Sequence, residues 1–129
     1  MKLMKLEIVT PLGVIFDDDV KQVTLPGSEG EFGVLPEHSA ILSMLDAGVV
    51  VINTKDGKDL SVAIDGGYVK VEENKTLCLV DKAVALSEDD NLAKAIKEAK
   101  ELLQKAGDSN IGIASAISKV ENIAKNSSF

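Results

Sequence analysis

VVVINTKDGKDLSVAI, Val49 to Ile64, is two runs rich in β-branched residues around Asp56-Gly57. Both residues of that pair tolerate positive φ, which a two-residue hairpin turn requires at each central position. The stretch therefore predicts a β-hairpin, and the same grammar extends on both sides of it. In KLEIV, Leu6 and Ile8 alternate with Lys5 and Glu7. In VKQVTLP, Lys21, Val23 and Leu25 fall on one face and Gln22 and Thr24 on the other, the period of a half-buried strand. Turn signals recur at Pro11-Leu12-Gly13, Asp17-Asp18-Asp19, Pro26-Gly27, Asp65-Gly66-Gly67 and Glu73-Asn74. Nine or ten short strands at this spacing predict an all-β sandwich up to Leu86.

After Leu86 the period changes. Leu92, Ala95, Ile96, Ala99, Leu102, Leu103 and Ala106 form one helical stripe. Ser87 with Asp90 resembles a capping box, and Glu88 to Asp90 suit the positive end of a helix. Gly107 ends the helix, and Asp108, Ser109 or Asn110 can cap a second one with the stripe Ile113, Ala116, Ile117, Val120, Ile123 and Ala124. So short a connection makes the pair an antiparallel hairpin. Its stripes are rich in alanine and bury little area, so the hairpin needs the sandwich or a partner to stay folded. The expected organisation is a β-sandwich over 1–86 and a helical hairpin over 87–129.

Composition narrows the function. The chain of 129 residues carries a net charge of −7, no Trp, and three Phe with one Tyr. Nucleic acid, which wants clustered cations and stacking aromatics, is an unsuitable partner. All 14 basic residues are lysines, so no planar guanidinium fork exists for phosphate. No apolar run approaches the roughly 20 residues needed to span a bilayer, and MKLMKLEIVT lacks the apolar centre of a signal peptide. One cysteine, Cys78 in TLCLV, reads as a small buried hydrophobe.

Catalytic patterns are missing. A single histidine, His38, rules out a two-histidine metal site, and no nucleophile elbow, Walker loop or EF-hand is present. Asp17 to Asp19 reads as an exposed turn before a cation site. Asp65 and Asp81 remain open as paired carboxylates, because sequence does not show spatial pairing. GSEGEFGVLPEHSAIL, Gly27 to Leu42, is the glycine-rich candidate. A phosphate cradle precedes a helix and recruits cations. Here Glu29 and Glu31 would repel phosphate and EFGVL reads as strand. Gly27 and Gly30 then supply turns, Phe32 and Val34 enter the core, Glu29 and Glu31 stand on an exposed tip, and His38 is a hydrogen-bonded structural residue.

The run PGSEGEFGVLPEH resembles the signature of the ε subunits of bacterial and chloroplast F-type ATP synthases, and VTPLGVIF, LDAGVV, AIDGGYVKV and the terminal hairpin follow in that family's order. The resemblance implies a ten-stranded β-sandwich followed by two helices and a non-catalytic place in the central stalk; from the residues themselves no cofactor or metal is expected. It implies that the sandwich binds the γ subunit and the c-ring, turns with the rotor, and helps couple proton flow to ATP synthesis. It implies helices that extend to the α/β catalytic ring and restrain hydrolysis, and a peripheral location, outside the bilayer, on the cytoplasmic face of the bacterial inner membrane. By position, Ser28, Glu29, Gly30 and Glu31 match the c-ring-facing loop, and Gly33, Pro36 and His38 match the signature.

Two departures stand out. The family commonly has glycine and proline where this chain has Glu37 and Ala40, so the local turn is expected to differ. Some members bind ATP through Ile/Leu-Asp-x-x-Arg-Ala at the first helix. This chain has Asp90, Asn91, Lys94 and Ala95 at the four defining positions, and only Ala95 matches. Besides the rotor subunit, two readings compete: a small-molecule module holding ATP between helices and sandwich, and an unrelated β-sandwich enzyme.

Overall fold

The computed structural model describes residues 2–86, 92–106 and 116–123. Strands β1 (Met4–Thr10), β2 (Gly13–Gly27), β3 (Gly30–Val34), β4 (Ile41–Leu45), β5 (Gly48–Thr54), β6 (Asp59–Ile64), β7 (Gly67–Glu72), β8 (Lys75–Val80) and β9 (Ala83–Leu86) precede helix α1 (Leu92–Ala106). Residues 116–123 are helical again. The strands run in the order β1-β8-β7-β4-β2-β5-β6-β9, with β3 on β2 and β1 closing back onto β2. Among the described strands only β1 and β8 pair in parallel.

The strand β2 joins the two layers of the sandwich. Its first half pairs with β1, from Gly13 to Val20. Its second half pairs with β3 and β5. The register shifts between Val20 and Gln22, a bulge that turns Val20 and Val23 both into the core. The strict alternation expected for Lys21, Val23 and Leu25 is therefore broken at Lys21. Leu6, Ile8, Leu25, Ile52, Val62, Val69 and Cys78 fill the interior with no exposure.

The described strands number nine, where the family resemblance implies ten. Asp17 to Asp19, expected as a turn, is not one. It lies inside the 15-residue β2, paired with Glu7, Leu6 and Lys5 of β1. Lys5 Nζ sits 2.9 Å from Asp17, and Lys55 Nζ 3.2 Å from Asp18. These lysines offset the mutual repulsion of the three aspartates. Nor do Pro26 and Gly27 form a turn: they end β2, and the turn residues are Ser28 and Glu29.

The β5–β6 hairpin forms as expected, but with three residues, Lys55 to Gly57, enclosed between the hydrogen-bonded Thr54 and Lys58. Among the non-glycine residues described, only Glu37 has positive φ, so Asp56 does not; Gly57 alone, at +83°, supplies the left-handed step. Thr54 N–H donates to Lys58 O at 2.9 Å and Gly57 N–H to Thr54 O at 3.0 Å. The Thr54 hydroxyl also donates to Lys58 O at 2.8 Å, a side-chain bond that the dipeptide signal ignores.

A second, smaller core lies between the sheet and the helices. Val49, Ala63 and Leu86 of the sheet meet Leu92, Ile96, Ala99 and Leu103 of α1, and Ala116 and Val120 beyond it. Lys100 Nζ lies 3.8 Å from Glu121, which sets the two helical segments side by side. The stripe read from sequence is the face that packs wherever its side chains are described, from Leu92 to Leu103 and from Ala116 to Ile123. The expected caps at Ser87–Asp90 and Gly107–Asn110, and Ile113 and Ala124, lie outside the described residues.

Candidate functional site

The turn between β2 and β3 is held from both sides. Gly27 pairs with Gly30, leaving Ser28 and Glu29 at the tip. Ser28 N–H donates to Met44 O at 3.0 Å and Asp46 N–H to Pro26 O at 2.8 Å. The tip is thus fastened to the β4–β5 connection. Ser28, Glu29, Gly30 and Glu31 are all exposed, with Glu29 at the tip as expected. Glu31 lies in β3 beside the tip, and its carboxylate accepts a hydrogen bond from Lys119 of the second helix. Nothing in the spacing of the sequence pairs these two residues. Phe32 is half-buried against the core and Val34 fully buried, as expected.

Gly33 is in β3, exposed, while Pro36 and His38 form a neighbouring turn. His38 N–H donates to Leu35 O at 3.2 Å. Pro36 and Glu37 are the central residues, and Glu37 has φ of +69°. That is the conformation for which glycine is favoured in a proline-led turn. The substitution at Glu37 therefore does not abolish the turn. Glu37 N–H donates to Glu73 O at 2.7 Å, and its carboxylate pairs with Lys2. The His38 ring Nδ1 lies 2.6 Å from Ser39 O, consistent with a hydrogen-bonded structural residue.

An outer sheet face carries a feature the sequence reading missed. Met44 faces Tyr68, Tyr68 faces Leu79, Leu79 faces Val9, and Val9 faces Val14. At roughly 4.8 Å per strand this apolar row crosses five strands and about 19 Å. Met44, Tyr68 and Leu79 are 55%, 54% and 50% exposed. The row borders a groove of about 690 Å³ with Asp65 and Asp81 on its rim. Farther along the same strands the charges are paired, Lys70 with Glu72 at 3.2 Å and Lys75 with Glu7 at 3.3 Å. The available signal was that TLCLV is apolar at outward as well as inward positions. A strand with one wet face would alternate.

Among the described residues no three His, Cys, Asp or Glu side chains converge as a metal site. Asp65 and Asp81 share the groove, but Asp65 accepts the Lys82 backbone N–H at 2.9 Å. Burial pushes the Cys78 thiol up to about 12. Asp18 is held below the usual carboxylate range, first by the Asp19 backbone N–H and then by Lys55. In the degenerate nucleotide motif, Asp90 and Asn91 lie outside the described residues. Lys94 is exposed and Ala95 packs in the helix–sheet core, so the structure does not bring these two together in a cleft. Among the described residues no helix is long and apolar enough to cross a membrane.

A sandwich with a fastened exposed turn, an apolar row exposed among the described residues and a thinly docked helical pair has the surfaces of a small subunit rather than of an enzyme cleft. Comparison with known proteins makes this specific. The family model for the ATP synthase Delta/Epsilon chain β-sandwich domain matches residues 3–86. The ATP synthase epsilon chain of a Sulfurovum species is 69% identical over 97% of this chain and 98% of its own length. That of Campylobacter fetus is 50% identical over 97% and 98%. Among solved structures, a chain of the Euglena gracilis mitochondrial ATP synthase, in an assembly of OSCP, F1 and c-ring, superposes with a TM-score of 0.63 at 25% identity, over 95% of this chain and 76% of that one. A chain from the central stalk and c-ring of the Tetrahymena thermophila enzyme shares the fold, at a TM-score of 0.57, 18% identity and 98% coverage of both. The chain belongs to the ATP synthase epsilon chain family.

Proposed function

We propose that this chain is a non-catalytic rotor subunit in the central stalk of a proton-translocating F-type ATP synthase, coupling proton flow to ATP synthesis. The apolar row Met44–Tyr68–Leu79–Val9–Val14 is the observation that carries the reading. An exposed apolar stripe this long is a liability for a protein that works alone and an asset for one that docks. We assign the row to the γ subunit. The fastened turn at Ser28, Glu29, Gly30 and Glu31 is then left for the polar loops of the c-ring. The helices, attached through a second core of their own, are the element that can leave the sandwich, reach the α/β ring and restrain hydrolysis. In this reading the sandwich, 1–86, is a unit separable from the segment 87–129. The chain sits on the cytoplasmic face of the bacterial inner membrane as a peripheral subunit.

The test is association with purified cognate γ by size exclusion. The full chain should form a stable pair. Tyr68→Asp, on a side chain already half in water, should leave the fold intact by circular dichroism and weaken the pair at least tenfold. A folded Tyr68→Asp variant with unchanged affinity would remove the row from the interface.

A further inference from the structure

The second helix ends up beside the β2–β3 turn, and the two are linked by charge. Lys119 reaches across to Glu31, 88 residues earlier in the chain. Ala116, one turn back on the same helix, is buried in the helix–sheet core. Between helix and turn lies a cleft of about 240 Å³, walled by Ser28, Gly30 and Glu31 on one side and by Ala116 and Lys119 on the other. The turn is held in place by two backbone bonds, from Ser28 N–H to Met44 O of β4 at 3.0 Å and from Asp46 N–H to Pro26 O at 2.8 Å.

We infer that the Lys119–Glu31 pair ties docking of the second helix to occupancy of the turn, so that a cationic partner group engaging Glu31 loosens the helix. Glu31 offers one carboxylate. A partner ammonium or guanidinium that takes it removes the contact holding Lys119, and a bulky partner over the cleft meets the helix itself. Since the turn is fastened, the helix is the part that yields. Coupling of this kind is reciprocal: whatever loosens the helix frees Glu31 for the partner to the same degree. Both side chains are partly exposed, at 38% and 50%, so the charge contribution is modest, about twofold to fivefold in the docking equilibrium. The inference rests on the proposed reading that the turn faces the membrane ring.

Charge reversal and swap test the latch in the free, full-length chain. Amide hydrogen exchange over 116–123 is the readout. Lys119→Glu and Glu31→Lys should each accelerate exchange there about twofold to fivefold or more, because each places like charges together. The double variant Lys119→Glu with Glu31→Lys should return it to the wild-type rate. Single variants without effect, or a double variant that stays fast, would overturn the latch. A second arm adds membrane sector depleted of this chain, together with γ, to the wild-type protein. Faster exchange over 116–123 on binding supports the coupling, and binding with unchanged exchange overturns it. No binding at all would defeat the proposed attachment to the ring and with it this partner, while the swap still decides whether the latch exists.

Discussion

Leu103→Ala separates the two cores. Leu103 has no exposed surface and packs with Ile96, Ala99 and Val120 against Val49, Ala63 and Leu86. It does not belong to the sandwich core around Leu25, Ile52 and Val69. Truncating a buried leucine costs about 2–5 kcal/mol, from lost transfer energy and the cavity left behind. If the helices open independently, that cost falls on their docking alone. At about 1.4 kcal/mol per tenfold, the opening constant rises about 30-fold to 3,000-fold. Native-state hydrogen exchange at residue resolution measures this directly. Amides of α1 and 116–123 should exchange faster by that factor, while those of β1, β7 and β8 change by less than tenfold. Leu25→Ala, in the sandwich core, should accelerate both sets. Equal acceleration of sandwich and helix amides in Leu103→Ala would show one cooperative unit and refute a separable helical element.

Glu37→Gly should be more stable than Glu37→Ala by about 0.5–1 kcal/mol in urea denaturation. The left-handed φ of +69° costs a non-glycine residue about 1–2 kcal/mol, and glycine returns about 0.4–1 of that through its freer unfolded chain; equal stabilities would mean the turn relaxes in solution. Cys78 should resist thiol reagents at pH 8 except at the rate of unfolding. Its thiol is raised to about 12 from an ordinary value of 9.0, so the unfolded chain loses its proton first and stability should fall as pH rises above about 9; Cys78→Ala, once its own packing loss is subtracted, should flatten that alkaline slope. Calorimetry with Mg-ATP should find no micromolar site, because Lys94 is exposed and offers a point charge where the nucleotide-binding members have arginine.

The sandwich was legible because its strands obey the simplest rule. Leu6 and Ile8 of β1, and Val69 and Val71 of β7, alternate inward as period two demands. Reading failed where long-range charge or hydrogen bonding overrode local chemistry. Asp17 to Asp19 lie in a strand paired with β1, where Lys5 and Lys55 arrive from other parts of the chain to offset their charge. Three residues lie between the hydrogen-bonded Thr54 and Lys58 of the β5–β6 hairpin, and the Thr54 hydroxyl adds a bond to Lys58 that the Asp56-Gly57 pair does not encode. The helical stripe was readable as a face, but not what it faces; Val49, Ala63 and Leu86 come from three strands. At the candidate site, the turn at Ser28 to Glu31 was visible through its glycines. Its tie to Lys119 and the row through Met44, Tyr68 and Leu79 were not, since both exist only once distant strands are in register.

The most direct test of the rotor assignment is ATP-driven proton pumping by inverted membrane vesicles from cells lacking this chain. Without it, proton uptake per ATP hydrolysed should collapse. Adding back the full chain should restore uptake, and residues 1–86 alone should restore most of it with hydrolysis no longer restrained. Equal pumping per ATP with and without the chain, in vesicles that bind it, would contradict the claim that it couples the motor.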